Sequence, residues 1–145
     1  MLSRKTEYAI RSLVCVAIKN KEGGRPGFKE VAKEIDAPVP FTAKILQELA
    51  KKGLIHSAKG RGGGFFFEQP PEELTLFRVI EIMEGLSFFT KCGFGFDNCS
   101  DEHPCPIHDD YLDIRDGFNR MVKETSIGSL ADKVMNDEAV LSRIL

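Results

Sequence analysis

Apolar residues recur at steps of three and four through most of the 145-residue chain, which predicts a mainly α-helical protein. Ala9, Ile10, Leu13, Val14, Ala17 and Ile18 form the stripe of a first amphipathic helix, with Ser3 available as its N-cap. Cys15 and Val16 fall at the edge of that stripe. Gly23, Gly24, Pro26 and Gly27 then make a loop. Phe28, Val31, Ala32 and Ile35 give one face of a second helix, which Asp36-Ala37-Pro38 breaks. A third helix starts near Pro40, buries Phe41, Ile45, Leu46 and Leu49, and closes at Gly53. Two short helices across a tight turn have helix-turn-helix spacing.

The period then changes. Leu54 to Ala58 reads as a strand, Lys59-Gly60-Arg61-Gly62-Gly63-Gly64 as a turn, and Phe65 to Phe67 as a second strand. A basic, glycine-rich hairpin placed directly after a helix-turn-helix predicts a winged helix. A plain flexible turn is the bland alternative, and a nucleotide-binding loop is excluded because no Gly-Lys-Ser/Thr follows. Beyond Pro70 and Pro71, Thr75 can cap a helix carrying Leu76, Val79, Ile80 and Met83, closed by Gly85. A longer helix spans Asp109 to Glu124, with Tyr111, Leu112, Ile114, Phe118, Met121 and Val122 at helical spacing. That broad apolar face predicts pairing with its twin in a homodimer, the alternative being that it folds back on its own domain. A short helix near Ser126 to Met135 and a tail to Leu145 complete the chain.

Charge divides the chain in two. Residues 1–64 carry 13 Lys and Arg against 6 Asp and Glu, whereas residues 65–145 carry 7 against 16. The basic half suits phosphates, and the net charge of −2 conceals it. On the third helix, Thr42, Lys44 and Gln47 are placed to reach base edges or phosphates, with a solvated face as the bland reading. On the wing, Lys59 and Arg61 supply charge while Gly62 and Gly63 let the backbone approach a groove. The opening residues carry charges through their apolar stretch and show no cleavage site, so neither a signal peptide nor a membrane span is expected and the location expected is cytoplasmic.

Cys92, Cys99, Cys105 and His108 fall within 17 residues, and the chain's one other cysteine is Cys15. Gly93, Gly95, Pro104 and Pro106 bar a regular helix or strand between them. Three thiols and an imidazole select zinc, cuprous copper or an iron–sulfur cluster over magnesium or calcium. Asp97, Asp101 and Glu102 are expected to solvate the loop. A disulfide is the bland alternative, and it leaves one cysteine over.

The opening Ser3-Arg4-Lys5-Thr6-Glu7-Tyr8-Ala9-Ile10, the run from Leu46 to Ile55, the wing Lys59 to Phe65 and the cysteine loop together resemble the family of bacterial winged-helix regulators that includes the iron–sulfur regulator IscR and the nitric-oxide-responsive repressor NsrR. The resemblance covers nearly the whole chain. It implies a non-enzymatic, homodimeric transcription factor on double-stranded DNA at a pseudopalindromic promoter site, with a 2Fe-2S cluster on Cys92, Cys99, Cys105 and His108. His103 is the local competitor for the fourth place. Three positions depart from the family pattern: six residues rather than five separate Cys92 from Cys99, Arg61 stands where proline is frequent, and Ala43 stands where IscR-like readers have glutamate. The expected organisation is a winged helix-turn-helix domain (1–85), a cluster-binding loop (86–108), and a dimerisation helix with C-terminal tail (109–145). Two rivals stand beside it: the same fold holding structural zinc or no metal, and a thiol redox protein or cluster carrier.

Overall fold

The computed structural model describes residues 2–143; Met1, Ile144 and Leu145 lie outside them, and with them the last residues of the expected tail. Helix α1 (Arg4–Lys21) is the centre of the fold. Ser3 caps it by accepting from the Thr6 amide. Around it pack α2 (Phe28–Glu34), α3 (Val39–Lys51), β2 (Gly64–Phe66), α4 (Leu76–Glu84) and α6 (Ile127–Met135). Every residue from Ser12 to Ala17 is buried as a result. Cys15 and Val16 are therefore core rather than edge, at 1% and 0% exposure. A helix enclosed on all sides has no wet face for a stripe to mark. Burial pushes the Cys15 thiol up to about 12, which leaves it protonated and unreactive.

The helix-turn-helix closes as its sequence requires. Asp36 takes a left-handed conformation (φ 53°) that a short polar side chain tolerates, and it ends α2. Gly53 (φ 80°) ends α3 in a Schellman motif, with Leu54 N–H donating to Leu49 O and Gly53 N–H to Ala50 O. Val31, Ile35, Ile45, Leu46 and Leu49 are all buried. Phe28, expected on the same face, is 40% exposed because it opens α2 outside the packed region.

The hairpin is shorter than its apolar pattern suggested. Strands β1 (His56–Ala58) and β2 pair antiparallel in the register His56↔Phe66, Ser57↔Phe65, Ala58↔Gly64. Ile55 is fully buried and belongs to the core rather than the hairpin. The base of the wing is pinned to α1. Asn20 donates to Phe65 O (3.2 Å) and accepts from Phe67 N–H (2.9 Å), and Phe65 N–H donates to Pro26 O (2.8 Å).

After α4 the chain makes a short 3-10 helix, Leu86–Thr90, inside the segment expected to be loop. Its Phe89 stacks on Phe77 and joins Ile80 and Val122 in a second, smaller core. Helix α5 (His108–Glu124) lies against this core, and Asn119 donates to Phe89 O (3.1 Å). The start of α6 is fixed beside the start of α4, with Ile127 N–H donating to Leu74 O and Leu76 N–H to Thr125 O. At the other end of α4, Glu84 accepts from the Thr6 hydroxyl (2.7 Å) and the Ser3 amide (3.0 Å). The smaller core and the cysteine loop are thus tied to the first turn of α1. Among the described residues no helix is long and apolar enough to cross a membrane.

Candidate nucleic-acid interface and metal centre

The outward face of α3 carries Pro40, Lys44, Gln47 and Lys51, all exposed. Thr42 is not on it. The side chain is fully buried, with its hydroxyl donating to Pro38 O (2.9 Å), so the expected base or phosphate contact is corrected to an internal role at the start of the helix. Helix α3 is held to α1 by Lys5 with Glu48 (2.7 Å) and by Tyr8 edge-on to Phe41 (5.3 Å between ring centroids).

At the wing tip Gly63 N–H donates to Gly60 O (3.0 Å), closing a β-turn with Arg61 and Gly62 at its centre. Gly62 has φ 77°, the conformation a type II turn demands at that position. Arg61 occupies the position where such a turn favours proline, so the departure at this site adds a charge without changing the turn. A Cβ on Gly63 would lie 2.2 Å from Ala58 O, so that glycine is dictated by close backbone approach. Lys59 and Arg61 are both exposed. Behind them the Arg25 guanidinium lies over the Phe66 ring at 4.1 Å, adding a third cation to this side of the hairpin.

The cysteine segment runs from the end of the 3-10 helix to the first turn of α5. His108 is the first residue of α5, one position earlier than the apolar pattern placed the helix, and its amide donates to Cys105 O (3.1 Å). Cys92, Cys105 and His108 are buried, and Cys99 is half-buried. Cys99 Sγ lies 3.5 Å from His108 Nδ1, and Asp101 Oδ1 lies 2.8 Å from His108 Nε2. Asp101 was expected only to solvate the loop; it orients the imidazole instead. Asp101 lies in the irregular segment and His108 at the start of α5, so their meeting is a property of the folded loop. His103, the competing histidine, is exposed and removed from this group.

Cys92 interacts with Cys105. Burial pushes the Cys92 thiol up, yet amide donors from Phe94, Phe96 and Gly95 together with Cys105 outweigh it, and the net shift is downward. Gly93 is pressed against Tyr111, whose ring would meet an added Cβ at 2.5 Å. All four cysteines are free thiols, so the disulfide alternative is not formed. A cleft of about 720 Å³ opens beside the loop, bounded by Phe88, Cys99, Asp101, Leu112 and Arg115.

The donor set fits a thiophilic metal or cluster in kind: three thiols and one imidazole, largely shielded from water. Their arrangement is two pairs, Cys92 with Cys105 and Cys99 with His108. Among the described residues no three His, Cys, Asp or Glu side chains converge as ligands of a single ion.

The comparisons with known proteins agree with this architecture. Residues 2–133 match the model of the Rrf2 family, described as an iron-dependent transcriptional regulator. The chain is 23% identical over 141 residues to the HTH-type transcriptional regulator IscR of Pectobacterium atrosepticum, covering 97% of this chain and 82% of that one. Among solved structures it is similar to CymR, the global cysteine regulator of Bacillus subtilis, with TM-score 0.75 and 20% identity over 91% of this chain and 96% of that one. It is likewise similar to the structure of T. potens IscR, with TM-score 0.72 and 16% identity over 97% and 92% of the two chains. At such identities the structural likenesses establish the winged-helix fold alone. With the family model running from before α1 through the wing and into α6, the chain belongs to the Rrf2 family of DNA-binding transcriptional regulators and is not an enzyme.

Proposed function

We propose that the protein is a cytoplasmic homodimer acting as a repressor at a pseudopalindromic promoter site, with a 2Fe-2S cluster held by Cys92, Cys99, Cys105 and His108 controlling its grip on DNA. The observation that carries this reading is the pairing of Cys99 with a buried His108 at the start of α5, in a segment whose other two cysteines are also buried and which follows α4 of the DNA-reading domain. Lys44 and Gln47 are the groups of α3 for base edges or phosphate, and Lys59, Arg61, Gly62 and Gly63 those of the wing. The dimer reading is supported by Ile107, at the cap of α5, and by Ile114 and Met121 within it, which are 40%, 68% and 50% exposed at seven-residue spacing. A twofold axis through that stripe would set the two α3 helices about 34 Å apart along one face of DNA.

When bound, the cluster supplies a centre whose charge and integrity respond to electrons, oxygen or nitric oxide. The residues of the chain do the rest. Cys92 and Cys105 are the buried side chains of the loop, Asp101 holds the His108 ring, and Glu84, at the end of α4, carries the position of the smaller core to the first turn of α1. Lys5 and Tyr8, in the same turns of α1, touch α3 through Glu48 and Phe41. An ordered loop can thereby bias the pose of the reading helix, by as much as the two DNA-binding poses differ in their affinity for the cluster.

The test is fluorescence anisotropy on promoter fragments with cluster-loaded and cluster-free protein side by side. A difference of about fivefold or more in Kd supports the reading, since coupling of roughly 1–3 kcal/mol is typical. Equal affinity overturns the sensor role. One second reading is a regulator of the same fold with structural zinc or no metal, and donors that are paired rather than convergent favour its metal-free form. Quantified iron, sulfide and zinc separate the two.

A further inference from the structure

We infer that His108 ligates through Nδ1, on the same iron as Cys99, and that Asp101 is the positioning residue that fixes this choice. The inference rests on the cluster reading above and names an atom, a partner and an orienting group within it.

A carboxylate can only accept, so the 2.8 Å contact between Asp101 Oδ1 and His108 Nε2 requires the proton on Nε2. In the neutral ring the lone pair then belongs to Nδ1, and Nδ1 faces Cys99 Sγ at 3.5 Å. That separation matches shared ligation. With metal–sulfur and metal–nitrogen bonds of roughly 2.3 and 2.1 Å, two donors at the tetrahedral angle on one ion lie roughly 3.6 Å apart. A two-iron cluster takes two ligands on each metal, so with Cys99 and His108 on one iron, Cys92 and Cys105 fall to the other.

The two partners of His108 differ in environment. The ring is 7% exposed while the Asp101 side chain is 91% exposed, so Asp101 reaches in from solvent over a buried imidazole. Its carboxylate is an outer-sphere group of the kind that sets tautomer and ring orientation in metal sites. The opposite ligation, through Nε2, would require either a flip of the ring that breaks the Asp101 contact or a metal where the carboxylate now lies.

The test is pulsed electron paramagnetic resonance on reduced, cluster-loaded protein grown with histidine labelled with 15N at Nδ1 in one sample and at Nε2 in another. Strong 15N coupling in the first sample alone, abolished by His108→Ala, is expected. Strong coupling from the Nε2 label overturns the assignment while leaving the cluster reading intact. A purified and reconstituted protein without iron and sulfide overturns both. Asp101→Ala should speed loss of iron to a chelator about 10- to 100-fold, the range for outer-sphere partners, while Asp101→Asn, which retains an acceptor oxygen, stays near wild type. Equal chelation rates for all three proteins would remove Asp101 from the positioning role.

Discussion

The winged-helix domain and the cysteine loop answer to different forces. The first is built on α1, with Leu13, Val16, Ile35, Ile45, Leu46 and Leu49 all at 0% or 1% exposure. Each such side chain contributes roughly 1.5–3 kcal/mol of burial, so the reading head needs no ligand to fold. In the second, residues 91–107 bury only Cys92 and Cys105, while Phe94 and Phe96 stand 52% exposed and touch mainly each other. The loop's two buried groups are cysteines proposed as ligands. A segment whose order depends on sulfur rather than on apolar area is one that a bound metal can order and its loss can release, while the domain carrying the DNA contacts persists.

The contrast can be broken most forcefully in the core. Leu49→Ala is expected to cost about 2–5 kcal/mol in chemical denaturation, because the cavity opens between α1 and α3 where nothing can collapse into it. Gly64→Ala comes next. At φ 143°, with an added Cβ 2.2 Å from Arg25 O, it should lose about 1–3 kcal/mol and loosen the wing from the loop before α2. Lys59→Ala with Arg61→Ala leaves folding alone and acts on DNA. A plot of log affinity against log salt should flatten by about two, one for each lost phosphate contact. An unchanged slope would detach the wing from phosphate.

The junction between the regions gives a subtler effect. Hydrogen bonding from Thr6, with the Ser3 amide adding to it and burial opposing, holds the Glu84 carboxyl below its ordinary 4.5. A depressed carboxylate adds stability that is full above 4.5 and is lost as pH falls through the lower native value. Glu84→Gln should therefore show a shallower acid-side decline in stability than wild type, measured by urea midpoints across that window. The smallest change is expected in the loop itself. Phe94→Ala with Phe96→Ala should shift the unfolding free energy of the metal-free protein by less than about 0.5 kcal/mol, and a large loss would show that the loop carries a core of its own.

Periodicity exposed the helices because each repeats one decision, apolar or polar, many times over. The caps at Ser3 and Thr75, the breaks at Asp36 and Gly53, and the wing turn were legible for the same local reason. What escaped was set by three-dimensional neighbours. Thr42 is a polar residue turned inward by a bond to its own helix, and Phe28 is an apolar one left outside. The 3-10 helix from Leu86 to Thr90 is too short to show a period and is held by stacking of Phe89 on Phe77. At the candidate site, cysteine spacing announced the donors, whereas the Cys99–His108–Asp101 alignment depends on loop folding that no spacing encodes.

The claim that the loop is a cluster site is tested most directly by an anaerobic visible absorption spectrum of freshly purified protein, with iron, sulfide and zinc quantified on the same sample. Sulfur-to-iron charge-transfer bands with iron and sulfide in equal amounts, two of each per chain, are the predicted result. A colourless protein holding one zinc per chain, or one that takes up no iron and sulfide on anaerobic reconstitution, would contradict it.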